Sequence, residues 1–259
     1  MKDKETIAFI SNWLREYCTS SKQKGFVIGV SGGIDSALAS TLCAMTEFSV
    51  ICVEMPIHQG NEQVSRAKQH IENLKSRFSN VTSIQIDLTP VFESFKKSLP
   101  PHADEDLHSI SLANSRARLR MTSLYYIAGI NGYLVAGTGN KVEDFGIGFY
   151  TKYGDGGVDL SPIADLTKTQ VYQLAKSLHI VESILEAPPT DGLFGDSRTD
   201  ESQIGASYPE LEWAMDFNGD IEKLSSRQKE VLKIYKQRNA ANKHKMDAIP
   251  VCKIPVGFL

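Results

Sequence analysis

The pattern of apolar and polar positions divides the chain into alternating helices and strands. Ile7, Ile10, Trp13, Leu14 and Tyr17 recur at helical spacing and predict a helix over 4–18. Phe26, Val27, Ile28 and Val30 form a short apolar run, as a covered parallel strand at about 25–30 should. A helix is expected to follow at about 35–46. A second strand, 48–55, ends at Pro56. Val64, Ala67, Ile71 and Leu74 share one face of a helix over 61–78, and 81–87 alternates as a third strand. Thr89 opens a short helix carrying Phe92, Phe95 and Leu99, which Pro100 and Pro101 end.

A long helix spans about 104–130, with Ile110, Ala113, Ala117, Met121, Leu124 and Ala128 every three or four residues. Residues 133–137 make a fourth strand. Beyond it the chain reads as loop, with Gly146, Gly148, Gly154, Gly156 and Gly157 crowded together. Helices return at 166–178 and 224–242. Residues 187–207 hold Pro188, Pro189 and many polar groups, and a loop of that length suits a lid. Strands alternating with helices give a parallel α/β sheet, because parallel strands need crossovers. The loops after Val30, Met55, Asp87 and Gly137 are then expected to converge on one crevice at the strands' carboxyl ends. No internal repeat or low-complexity linker divides the chain, so one domain over 1–259 is expected.

Composition removes several function classes. The 259 residues are 41% hydrophobic and 23% charged, as in an ordinary soluble domain. No apolar run reaches transmembrane length, and the charged N-terminus has no signal-peptide core, so no membrane partner is expected. A net charge of -3 gives no electrostatic footprint for nucleic acid. Cys18, Cys43, Cys52 and Cys252 form no C-x-x-C pair, and a reduced, cytoplasmic setting is the default.

The chemistry begins at Gly29, Val30, Ser31, Gly32, Gly33, Ile34, Asp35 and Ser36, where the first strand turns into a helix. The glycines permit a sharp turn and close backbone approach, and the first amides of the helix, which have no internal partner, make an anion site. Asp35 would repel a phosphate there unless a cation such as Mg²⁺ lies between them. The lysine of a Walker A loop is absent, so further cations must come from elsewhere.

Four later clusters could supply them. Arg116 and Arg120 share a helix face, and Arg118 points elsewhere, close to the apolar stripe. A solvated basic helix is the competing reading. Thr138 and Glu143 follow the fourth strand, Thr138 as a nucleotide contact and Glu143 as a second metal carboxylate beside Asp35. The segment 149–162 holds Lys152, Asp155 and Asp159 among glycines, too polar for a core, and suits a loop that shapes a ligand. Lys168 sits in the first turn of a helix, where the macrodipole disfavours a cation and an anion would favour it. The sum is an ATP-handling enzyme that works by electrostatic stabilisation.

Ser31-Gly-Gly-Ile-Asp-Ser36 resembles the pyrophosphate loop of the ATP pyrophosphatases. Thr151-Lys-Tyr-Gly-Asp-Gly-Gly157 with Asp159, Leu166-Thr-Lys-Thr-Gln170, Pro189-Thr190, Thr199-Asp-Glu201 and His244-Lys245 are together similar to NAD synthetase. The resemblance implies a Rossmann-like, adenine nucleotide alpha hydrolase-like three-layer sandwich. It implies ATP-dependent amidation of deamido-NAD with ammonia through an acyl adenylate, releasing AMP and pyrophosphate. Gly29–Ser36, Thr138, Lys168 and Thr190 would contact ATP, and Asp35 and Glu143 would hold Mg²⁺. Arg118, Lys152, Asp159, His244 and Lys245 would contact deamido-NAD. Asp155 would receive ammonium and help deprotonate it, with Asp35 and Lys168 as the other catalytic groups.

The segment 142–150 is one residue longer than the family pattern, and the tail after Lys245 departs from it. The synthetase pattern fills the chain, so free ammonia rather than an attached amidase is expected as the nitrogen source. A homodimer with the dinucleotide site near its interface is also implied. A tRNA-modifying adenylating enzyme and a non-catalytic nucleotide sensor stand as alternatives. The first would need reactive cysteines or a basic module, and the second would not need two metal carboxylates.

Overall fold

In the computed structural model, residues 1–190 and 199–258 are described. Four parallel strands, β1 Gly25–Gly29, β2 Ser49–Glu54, β3 Val81–Gln85 and β4 Leu134–Val135, form a sheet in the order β3-β2-β1-β4. Pairing leaves β1 for β2 on one side and for β4 on the other. The order therefore reverses at β1, and the loops after β1 and β4 open onto the same crevice.

Alternation along the strands builds two cores. Phe26, Ile28, Val50 and Cys52 face one layer, while Val27, Ile51 and Val53 face the other. The first layer holds α1 Asp3–Ser20, α2 Ile34–Ala44 and α3 Asn61–Arg77. The second holds α4 Thr89–Ser98 and α5 Glu105–Asn131. Later in the chain, α6 Lys168–Ser177 and α7 Glu182–Leu185 return to the first layer. A third apolar cluster joins the turn Val142–Ile147 to α8 Asp200–Ile204, α9 Tyr208–Asp216 and α10 Ser226–Met246. The expected three-layer parallel α/β sandwich is present.

Several expectations need correction. Trp13 and Tyr17 stack on the exposed side of α1, with ring centroids 5.8 Å apart, while Ser11 and Cys18 complete its buried face. Ile110 is exposed on α5, and Arg118 is exposed rather than set beside the apolar stripe. The fourth strand is two residues long, and Asp159–Leu160 runs beside it, with the Gly137 amide donating to the Leu160 carbonyl at 2.8 Å. The segment after Asn140 is not loop: Val142–Ile147 is a π-helical turn. Within 187–207, residues 200–204 are helical, and 191–198 lie outside the described residues. The loop after Asp87 takes no part in the crevice. β3 is the edge strand, and the Asp87 carboxylate instead accepts the Thr89 amide at 2.9 Å, at the start of α4.

Candidate active site

A cleft of about 300 Å³ opens at the carboxyl ends of β1, β2 and β4. Its floor is the glycine loop. Gly32 has φ +82°, and a Cβ there would lie 2.5 Å from the Gln63 carbonyl oxygen, so both conformation and space require glycine. The Ser31 amide donates to Ser36 Oγ at 3.2 Å, and Ser36 Oγ donates to the Gly33 carbonyl at 2.9 Å. These bonds fix the turn while α2 starts without a side-chain cap, which keeps its first amides available to an anion.

Asp35, in the first turn of α2, meets the later segments through two partners. Lys168 Nζ donates to its Oδ2 at 2.6 Å, and Asn140 Nδ2 donates to its Oδ1 at 3.0 Å. The same ammonium donates to Glu143 Oε1 at 3.0 Å. Tyr208 Oη donates to Glu143 Oε1 at 2.6 Å, and the Lys168 ammonium lies 4.7 Å from the centroid of the Tyr208 ring. Lys168 is only 3% exposed. Burial works against its charge, but the two carboxylates outweigh burial and hold it protonated. Burial opposes the Glu143 charge too, yet Lys168 and the Tyr208 hydroxyl bring its pKa below the ordinary value. The helix-start lysine thus finds its anions inside the protein, positioned by a capping box in which Thr167 and Gln170 bond reciprocally.

Asn140 carries much of this geometry, and sequence reading gave it no role. Its Oδ1 accepts the Val142 and Glu143 amides, each at 3.1 Å, while its Nδ2 reaches Asp35. It is completely buried and ties the β4 loop to the phosphate loop. The signal was present in Gly139-Asn140 at a strand end, but its partner lies 105 residues away. Tyr208 was missed for the same reason.

The segment Val142–Ile147 winds as a π turn. A π turn winds one residue more than an α turn. Asn239 Nδ2 donates to the Gly146 carbonyl at 2.7 Å and Asn242 Nδ2 to the Ile147 carbonyl at 2.9 Å, so α10 supplies the partners that the widened turn needs. The turn also brings Asp144 over Gly139, where a Cβ would overlap its carboxylate. Burial, with Glu143, Asp155 and Asp35 nearby, pushes Asp144 up to about 8.

Every residue expected at ATP lines this cleft: Gly29–Ser36, Thr138, Lys168 and Thr190. Glu143 and Asp155 line it too. Asp155 accepts the Thr151 amide at 3.0 Å, and burial raises its pKa. Arg118, Lys152, Asp159, His244 and Lys245 do not line the cleft. Arg118 Nε donates to the Lys152 carbonyl at 3.3 Å, Lys152 Nζ to the His244 carbonyl at 2.6 Å, and Lys245 Nζ to the Tyr150 carbonyl at 2.7 Å. Asp159 instead accepts the Val135 amide and the Tyr125 hydroxyl, which pins β4 to α5.

The NAD synthase family model matches residues 6–248. The chain belongs to the NAD synthase family. It is 36% identical over 244 residues to the NH(3)-dependent NAD(+) synthetase of Mesoplasma florum, covering 93% of this chain and 96% of that protein. It is 34% identical to the corresponding enzyme of Syntrophomonas wolfei, over 98% of both chains. Among solved structures, an NMN synthetase from Francisella tularensis superposes with a TM-score of 0.85 at 30% identity, over 98% of this chain and 100% of that one. An NH3-dependent NAD synthetase from Campylobacter jejuni gives 0.77 at 27% identity, with the same coverage.

The carboxylates of this family member suit Mg²⁺. Asp35 and Glu143 offer hard oxygen donors of the kind Mg²⁺ takes, and both lie within hydrogen-bond distance of the one Lys168 ammonium. Among the described residues no group of three or more His, Cys, Asp or Glu side chains could hold a metal alone. Phosphate oxygens and water would complete the coordination, as is usual for Mg²⁺.

Proposed function

We propose that this cleft forms NAD by ATP-dependent amidation of deamido-NAD with ammonia, through an acyl adenylate. The observation that carries the reading is the buried Asp35–Lys168–Glu143 network beside the glycine loop, with Asp155 on the same cleft. The loop amides and Lys168 hold the pyrophosphate that departs, and Thr138 and Thr190 contact the nucleotide. Asp35 and Glu143 would hold Mg²⁺, whose charge would offset that of the phosphates. Asp155 takes a proton from ammonium, which needs a base because it is mostly protonated at neutral pH. The test combines purified protein, ATP, Mg²⁺, ammonium and deamido-NAD. NAD and AMP in equal amounts are expected, and their absence across pH refutes the reading.

A mononucleotide substrate is the second reading. It is favoured by the Francisella tularensis NMN synthetase likeness. It is also favoured because the five residues expected at the dinucleotide do not line the cleft. Comparing kcat/KM for nicotinate mononucleotide and deamido-NAD decides between them. A tenfold preference for the mononucleotide would overturn the dinucleotide assignment.

A homodimer with the dinucleotide site near its interface fits the exposed Leu107, Ile110, Tyr126 and Ile130 of α5. In that arrangement Arg118, Lys152, His244 and Lys245 reach substrate across the interface. A cytoplasmic setting fits the four free cysteines, three of them buried.

A further inference from the structure

Arg120 lies on the cleft wall, midway along α5, and the proposed function gives it no step. Its Nε donates to the Met55 carbonyl oxygen at 2.9 Å, just beyond the carboxyl end of β2. That bond fixes the plane of the guanidinium. Its Nη2 is buried and has no hydrogen-bond partner. A buried charged donor left unpaired is costly, and such a group in a folded protein calls for a ligand, ion or water to complete it.

The surroundings indicate which ligand. A Cβ on Gly154 would come 2.8 Å from Ala117 Cβ, and one on Gly157 would come 2.9 Å from Met121 Cγ. The glycine-rich loop is therefore seated directly on the turns of α5 that flank Arg120, and it brings Asp155 to the same cleft. Burial and the nearby Arg116 lower the Arg120 pKa to about 10, with Asp155 pulling the other way, so the group remains a cation at neutral pH.

We propose that Arg120 is a further catalytic residue, binding the non-bridging oxygens of the α-phosphate as it joins the substrate carboxyl. The proposal rests on the amidation reading. In the first step a carboxylate oxygen bonds to the α-phosphorus. The bond from that phosphorus to the oxygen bridging to the β-phosphate breaks, and pyrophosphate leaves with the electron pair. In the second step ammonia nitrogen bonds to the acyl carbon, the carbon–oxygen bond to phosphate breaks, and AMP takes the electron pair. Asp155 already holds the proton taken from ammonium, and the second proton, lost from nitrogen as the amide forms, passes to water. Both steps concentrate negative charge around the α-phosphate. The glycine loop and Lys168 are assigned to the departing pyrophosphate, so the α-phosphate needs its own cation. A planar guanidinium with parallel donors matches two phosphate oxygens.

The competing role is a strut between α5 and the end of β2 through Met55. Two variants separate the roles. Arg120→Gln keeps a donor for the Met55 carbonyl and loses the charge, whereas Arg120→Lys keeps the charge and loses the fork. The readouts are ATP–pyrophosphate exchange with deamido-NAD and no ammonia, the KM for ammonium in the full reaction, and melting temperature. Arg120→Gln is expected to slow exchange at least 100-fold at saturating substrates, with the ammonium KM within threefold of wild type. Arg120→Lys is expected to recover at least tenfold of that loss. Exchange within threefold of wild type in Arg120→Gln overturns the proposal and leaves the strut. If Arg120→Gln fails to fold, Arg120→Lys decides: a tenfold loss with normal melting supports the role, and wild-type exchange overturns it. A wild-type protein inert in both assays instead overturns the amidation reading, and this proposal with it.

Discussion

Replacing Lys168 with Met removes the buried ammonium that two largely buried carboxylates share, 2.6 Å and 3.0 Å from Asp35 and Glu143. Breaking such an arrangement by deleting one partner costs about 3–5 kcal/mol, because the remaining charges stay buried without compensation. Lys168→Met is expected to melt well below wild type and to lose at least 100-fold in activity. Urea denaturation and the amidation assay check this, and Mg²⁺ with ATP should restore part of the stability by bringing positive charge to the carboxylates. His70 gives a separate prediction. It is 1% exposed, and its Nε2 lies 2.9 Å from Ser40 Oγ between α2 and α3. Burial, followed by Arg77, lowers its pKa to about 4. The unfolded chain therefore binds more protons between the ordinary histidine value and 4. Its contribution to stability is complete above the unfolded pKa and is lost as pH falls toward the folded one. Between pH 7 and pH 5, wild type should lose about 2 kcal/mol more unfolding free energy than His70→Gln. Equal losses in the two proteins would remove His70 as the cause.

At the scale of elements, the π turn and α10 act together. Asn239 and Asn242 are three residues apart on α10 and donate to the Gly146 and Ile147 carbonyls. The turn they support carries Glu143 at its start. Asn242→Ala should lower kcat by about tenfold with a smaller change in the KM for ATP, since the carboxylate shifts while the glycine loop stays. Steady-state kinetics of the variant test this, and an unchanged kcat removes the coupling. Most main elements were legible beforehand from local signals: α3 and α5 follow apolar spacing, α2 follows the glycine turn, and β1 and β2 are continuous apolar runs. The π turn was not legible, because its glycines and charges imitate a loop, and its carbonyls are satisfied from α10, nearly a hundred residues later. The outward stack of Trp13 and Tyr17 was misread for a related reason. Helical spacing reports a shared stripe, but not which side the rest of the chain covers.

At the scale of the whole molecule, α5 exposes Leu107, Ile110, Tyr126 and Ile130 at 56%, 49%, 69% and 67%. If a second copy covers this surface, sedimentation should give twice the 28.6 kDa mass of one chain. Tyr126→Asp together with Ile130→Asp should shift the protein toward monomer and raise the KM for deamido-NAD more than that for ATP. A wild-type monomer at micromolar concentration would remove the dimer. The residues expected at ATP need no partner to come together, since strand-order reversal around β1 already gathers them into one cleft. Arg118, Lys152 and Lys245, expected at the dinucleotide, show the reverse, pairing with backbone carbonyls outside it.

The sequence by itself determined the parallel α/β class, the glycine loop that turns into a helix, and the position of the acids and lysine that the structure brings beside it. These are local properties. Apolar period, glycine conformation and helix capping act over a few residues and can be read along the chain. Only the tertiary structure decided which charge meets which. It placed Lys168 between Asp35 and Glu143, made Asn140 the tie between two loops, and turned Arg120 rather than Arg118 to the cleft. Those outcomes depend on burial. A charge removed from water must find its partner in space, and that partner lies 25 or 133 residues away from Lys168 along the chain.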